Sequence, residues 1–148
     1  MLKQISVFVE NRRGKMAEIM EVLATNGIDL RALSLSDTSE FGLLRIIASN
    51  PEKALEVLRN AGMMVRSNEV VAVGVSDTPG AFAKASRILA DVGVNLEYLY
   101  ALSSQRNDEA VIIMRLDQPG AGLAALRAGG FRIIDPEDIY CESEYKMN

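Results

Sequence analysis

Asp77, Thr78, Pro79 and Gly80 stand where an apolar alternation stops and a helical pattern starts, and they make the most specific chemical arrangement in the chain. The first N–H groups of a helix have no partner inside it. Together with the helix dipole they form a site for a carboxylate or a phosphate. Gly80 lets the backbone approach such a ligand closely. Asp77 carries the charge opposite to an ammonium, and Asn95, just past the Gly93 helix stop, offers both a donor and an acceptor. One carboxylate and one ammonium describe a free amino acid. Asp77 is equally able to satisfy the helix start itself, as a cap, and the residue types alone leave both readings open.

Other chemistry finds little support. There is no histidine, and Cys141 is the one cysteine, so an internal disulfide is excluded and a zinc or copper site would lack its usual ligands. No metal and no cofactor are expected. The remaining acids and bases show no pair suited to proton transfer, and Glu10, Glu18 and Glu21 read as solvated surface, so no enzyme is expected. Arg12, Arg13 and Gly14 occupy the place of an acylphosphatase-type arginine loop after the first strand, but the rest of that pattern is missing. A formal net charge of −4 without clustered Lys and Arg argues against a nucleic-acid partner. Apolar runs such as Val111 to Met114 fall far short of the roughly 20 residues of a membrane span, and no signal-peptide pattern is present. A cytoplasmic protein with no membrane partner is expected.

The elements that would position the turn occur twice. Asn11 to Leu33 and Asp77 to Leu99 superimpose without a gap at an offset of 66, bringing Gly14 onto Gly80, Leu23 onto Leu89, Gly27 onto Gly93, Asp29 onto Asn95 and Leu30 onto Leu96. Further on the offset becomes 68, with Pro51 on Pro119, Leu55 on Leu123 and Gly62 on Gly130, which puts two extra residues in a hairpin around Ser103 to Asp108. Ile5, Val7 and Val9 alternate as a strand; Met16, Ile19, Met20 and Leu23 keep helical spacing until Gly27. Leu30 to Leu35 and Leu43 to Ala48 read as strands around a turn from Asp37 to Glu40. Pro51 opens a helix ending at Gly62, and Met63 to Val65 is a short last strand. The second copy repeats the order with Val70 to Val75, Gly80 to Val92, Val94 to Leu102, Ala110 to Leu116, Pro119 to Ala128 and Phe131 to Ile134.

The fold class is therefore α+β: two ferredoxin-like βαββαβ repeats, antiparallel sheets packed against helices, over residues 1–68 and 69–136, with an acidic tail at 137–148. Val111 to Met114 and Val70 to Val73 are apolar at both parities, so both sheet faces should be covered; homodimerisation through the sheets is the favoured expectation, extra core against a loop the other. Ile139 and Tyr140 are able to pack, as a capping turn or an edge strand.

The segment "DTPGAFAKASRILADVGVNLEYL" resembles the ACT domain, a βαββαβ amino-acid-sensing module, in its D-x-P-G turn and in the strand start around Gly93 and Asn95. The segment "SVFVENRRGKMAEIMEVLATNGIDLRALSL" resembles the ACT part of acetolactate synthase regulatory subunits in its V-E-N-x-x-G turn, a likeness that ends with the first copy. The resemblance implies a tandem-ACT regulatory protein that binds a free amino acid at interfaces between repeats and acts allosterically in amino-acid metabolism. A regulatory subunit of a biosynthetic enzyme such as acetolactate synthase, or a dimerisation module without ligand, is the alternative. Gly80, Ala81 and Leu96 would give backbone hydrogen bonds, with Asp77, Thr78, Pro79 and Asn95 around them. In the first copy the matching positions are Asn11, Arg12, Arg13, Gly14, Lys15, Asp29 and Leu30. There Arg13 replaces the proline and Asp29 the asparagine, so that site is either altered or empty, unless Arg12 and Arg13 grip the ligand carboxylate instead.

Overall fold

A computed structural model describes residues 1–37, 40–106 and 108–141. The order is β1 (Leu2–Glu10), α1 (Lys15–Thr25), β2 (Leu30–Asp37), β3 (Phe41–Ala48), α2 (Pro51–Asn60), β4 (Val65–Ser76), α3 (Ala81–Asp91), β5 (Leu96–Arg106), β6 (Glu109–Leu116), α4 (Pro119–Ala128), β7 (Arg132–Ile133) and α5 (Pro136–Tyr140). Contacts divide the chain into two compact units, one built on Lys3–Asn68 joined by Tyr140, the other on Glu69–Ile139 with Met1–Leu2.

In the first unit β3 runs antiparallel to both β1 and β2, from Ile5↔Ile46 to Glu10↔Phe41 and from Leu30↔Ala48 to Asp37↔Gly42. One residue in two of each strand turns toward α1 and α2, as the pleat dictates. Ile5, Val7 and Val9 thus meet Ile19 and Leu23 of α1 and Ala54, Leu55 and Leu58 of α2 in a buried cluster with Leu44 and Ile46. Asn50 caps α2, its side chain accepting from the Lys53 N–H at 3.1 Å, and Pro51 follows at the first helical position, where no donor is lost. The Asp37 to Glu40 turn includes Thr38 and Ser39, which lie outside the described residues.

The second unit repeats this arrangement. β6 pairs with β4 from Val71↔Met114 to Ser76↔Glu109 and with β5 from Leu96↔Leu116 to Arg106↔Glu109. β7 adds to β4 at Val73↔Ile133 and Gly74↔Arg132, just as the Phe8 N–H bonds the Met64 carbonyl at 3.0 Å in the first unit. Its core joins Val71, Val73, Val75, Ala85, Leu89, Met114, Leu116 and Leu126. A register shift between Ala101 and Gln105 falls where the second copy carries its extra residues, next to Asn107, which lies outside the described residues.

One difference from the sequence expectations has a plain physical cause. Met63 to Val65 and Val70 to Val75 were expected as separate strands, but β4 runs unbroken from Val65 to Ser76, since residues 66–69 include no glycine or proline to end it. Of the two forms expected after Asp135, a capping turn or an edge strand, the stretch takes the turn: a short helix started by the Asp135 carboxylate accepting from the Glu137 N–H at 3.0 Å. It buries Ile139 and fixes Tyr140, whose hydroxyl accepts from the Lys3 N–H at 2.8 Å and whose carbonyl accepts from Arg31 at 3.0 Å; residues 142–148 of the expected acidic tail lie outside the described residues. On the second sheet face, Val70, Ala72, Val111 and Ile113 are buried.

Candidate functional site

Both turns take the same shape, and glycine sets it. Gly14 and Gly80 are the N-caps of α1 and α3, at φ 85°, ψ −8° and φ 88°, ψ −11°, a left-handed conformation that residues with a β-carbon reach only with strain. Arg13 in place of a proline therefore leaves the backbone of the first turn unchanged. Neither helix start is capped by a side chain, so neither Asn11 nor Asp77 uses up the amide hydrogens. In the second turn the Ala81 N–H bonds the Thr78 carbonyl at 3.2 Å and the Lys84 N–H bonds Gly80 at 3.0 Å. Among the described residues the N–H groups of Phe82 and Ala83 have no acceptor. The first turn matches it: Lys15 N–H reaches Arg12 at 3.3 Å, Glu18 N–H reaches Gly14 at 3.0 Å, and Met16 and Ala17 are left free.

The surroundings differ in charge. Arg12 is occupied, its guanidinium bonding Glu10 at 3.1 Å and Glu18 at 3.4 Å, while Lys15 meets Glu18 at 3.3 Å. The Lys15 hydrogen bond above all holds the Glu18 carboxyl below the usual carboxylate range; desolvation opposes it, and the Arg12 charge adds to the lowering. The Glu10 hydrogen bond, with Glu18 next, strengthens the hold of Arg12 on its proton. Arg13 is exposed and has no partner among the described residues. A hollow of about 170 Å³ beside this turn brings Asn11 and Arg12 together with Met16, Leu35 and Asp37. At the second turn Ser76 and Thr78 hydroxyls meet at 3.3 Å, and the Asp77 N–H bonds the Asp108 carbonyl at 3.2 Å, tying the turn to the β5–β6 hairpin. A cleft of about 390 Å³ there is lined by Thr78, Gly80, Ala81, Lys84, Glu109 and Arg132, among others.

Asp29, Leu30, Asn95 and Leu96 are not brought to their own turns. Ser76 pairs with Glu109 at one end of β6, and Leu96 pairs with Leu116 at the other, seven residues away along the strand, hence roughly 23 Å at about 3.3 Å per residue. The same holds from Glu10↔Phe41 to Leu30↔Ala48. At that far end the Asn95 N–H bonds the Asp117 carboxylate at 2.8 Å, while its side-chain amide has no partner among the described residues. Asp29 is busier: one carboxylate oxygen accepts from the Leu30 N–H at 3.0 Å and the other from Arg31 at 2.6 Å. The replacement of asparagine by aspartate thus changes the function of this position from a free amide to a partner of buried Arg31.

Sequence reasoning passed over Glu109 and Arg132, whose ion pair at 2.7 Å crosses Gly74. The signal was in the repeat: an offset of 68 places Glu109 on Phe41 and Arg132 on Met64, exchanges no structural requirement of a strand calls for.

Comparisons bear on these two units directly. A family model described as an ACT domain pair matches residues 1–134. The crystal structure of protein BT0572 from Bacteroides thetaiotaomicron is similar at 33% identity, covering 94% of this chain and 95% of that one, with a TM-score of 0.88. The ligand-free regulatory subunit of aspartate kinase from Thermus thermophilus shares the fold at 20% identity, over 85% of this chain and 91% of that one, TM-score 0.63. Its counterpart from Thermus flavus does so at 18% identity, over 86% and 92%, TM-score 0.61. No curated protein matches.

Proposed function

Since the chain belongs to the ACT domain pair family, we propose that it is a non-catalytic regulatory protein of amino-acid metabolism that binds a free amino acid at the turns opening α1 and α3. The observation that carries this is the pair of free N–H groups at each helix start, Met16 with Ala17 and Phe82 with Ala83, left without acceptors by two turns of the same shape. Such groups attract a carboxylate. The ligand's ammonium falls to Asp77 in the second turn, an exposed carboxylate.

Asn95 lies too far from its own turn to share that ligand, so the turn takes its second set of contacts from another module. This is the reading under which residues 1–68 and 69–136 act as two sensing modules, with 137–148 as a tail. A ligand regulates only by binding one arrangement more tightly than another, and the response passes through the protein's own assembly, as a homodimer, or through a partner enzyme. A thermal-shift screen across the twenty amino acids tests the proposal. A true ligand at a hundred times its Kd adds about 2.7 kcal/mol of stability; no shift with any of them would leave a scaffold without a ligand.

A further inference from the structure

The repeat sets a second pair of equivalent places side by side for comparison. In the first unit a cleft of about 390 Å³ opens between β1, the start of α1 and the loop leaving α2, lined by Phe8, Glu10, Lys15, Phe41, Met63 and Met64. The matching cleft of the second unit, also about 390 Å³, has Gly74, Ser76, Ala81, Glu109, Phe131 and Arg132 at the same positions. Size is kept and chemistry is exchanged. In the second cleft the Glu109–Arg132 pair lies over Gly74, where a β-carbon would come within 2.6 Å of Glu109 Oε2. In the first, Phe8 stands at the glycine's place, and Phe41 and Met64 leave 49% and 70% of their surface in water.

Apolar surface held open around a concavity, with a few charges on its rim, is the usual make-up of a small-molecule pocket, typically about 300–1,000 Å³. Methionine linings adapt readily to what enters. The rim charges fit a zwitterion. Glu10 is engaged in an exposed pair with Arg12, which costs little to exchange, and Lys15, its side chain mostly covered, pairs with Glu18 at 3.3 Å. A cavity of about 150 Å³ already holds a benzene-sized group, so 390 Å³ has room for an aromatic or long aliphatic side chain and its α-carbon groups.

We infer that the first-unit cleft takes a free amino acid with an apolar side chain: the side chain lies among Phe8, Phe41, Met63 and Met64, the carboxylate faces Lys15, and the ammonium faces Glu10. This rests on the amino-acid reading above and adds the class of side chain. The second cleft, with its ion pair across the floor, rejects the same ligand, because an apolar group there would strip water from two charges.

Calorimetric titration of the full chain with L-methionine, L-phenylalanine, L-aspartate and L-lysine tests the inference, on the wild type and on Met64→Asp, Phe41→Ser and Asn95→Ala. Both cleft positions are well exposed, so the variants should fold, which circular dichroism checks. Methionine or phenylalanine should bind at least tenfold more tightly than either charged amino acid. Met64→Asp and Phe41→Ser should each weaken that binding at least tenfold. Preference for a charged amino acid, or unchanged affinity in both cleft variants, overturns the assignment. If binding survives in the cleft variants and falls in Asn95→Ala, the cleft is refuted while the turn reading stands; binding of no amino acid at all refutes both.

Discussion

Leu116 reaches over Gly122 so closely that a β-carbon on the glycine would stand 2.5 Å from its Cδ1, with Leu89 and Val94 at 3.3 and 3.4 Å. In the first unit the same two positions hold Ala48 and Ala54, both buried. The larger strand residue is offset in part by the smaller helix residue, as close-packed interiors require. Gly122→Ala should therefore lower stability by about 1–3 kcal/mol, although alanine favours a helix by about 1 kcal/mol. Adding Leu116→Ala should recover part of the loss, so the double variant is less unstable than the sum of the singles in chemical denaturation.

Gly80→Ala and Gly14→Ala meet no atom within 4 Å, so the left-handed backbone alone resists them. Each should cost about 1–2 kcal/mol in stability. Equal losses in the two variants would mark the turns as equivalent in backbone despite Arg13 standing where the second copy has Pro79. Amino-acid binding at the altered turn should weaken by more than the change in stability explains.

Asn95→Ala separates ligand contact from fold. The backbone of Asn95 is held by Asp117 and its side chain has no partner among the described residues, so stability should stay within about 0.5 kcal/mol of wild type. Asp117→Ala should instead destabilise by about 1–2 kcal/mol, since it strips the acceptor from the Asn95 N–H. Denaturation midpoints check both.

Much of this was legible in the sequence, for reasons tied to particular residues. Gly14 and Gly80, Gly27 and Gly93, Pro51 and Pro119 punctuate the chain at constant spacing, so strands and helices follow from where they stop. Side chains acting over long sequence distances were not legible. Nothing in local pattern tells that Tyr140 receives the Lys3 N–H, or that Glu109 reaches Arg132.

Acid should expose the role of Glu18. Its carboxyl is held below the usual carboxylate range in the folded state, chiefly by Lys15, so it stabilises the fold above its unfolded pKa and loses that contribution as pH falls through the depressed value. Glu18→Gln should show a shallower decline in stability over the acid range than the wild type in denaturation at stepped pH. Tyr140 has the opposite sign: burial raises its hydroxyl pKa, so its contribution is complete below the unfolded value near 10 and is lost as pH climbs through the folded one. Tyr140→Phe should remove that alkaline sensitivity and cost about 1 kcal/mol at neutral pH through the unanswered Lys3 N–H.

The most direct measurement is the amide chemical shift of Phe82, Ala83, Met16 and Ala17 as the best-stabilising amino acid from the screen is titrated into labelled protein. Saturable shifts at these N–H groups, with a Kd matching calorimetry and with no such response to the amino alcohol that lacks the carboxylate, are expected. Binding that leaves all four amides unmoved, or no binding of any amino acid, would contradict the central claim.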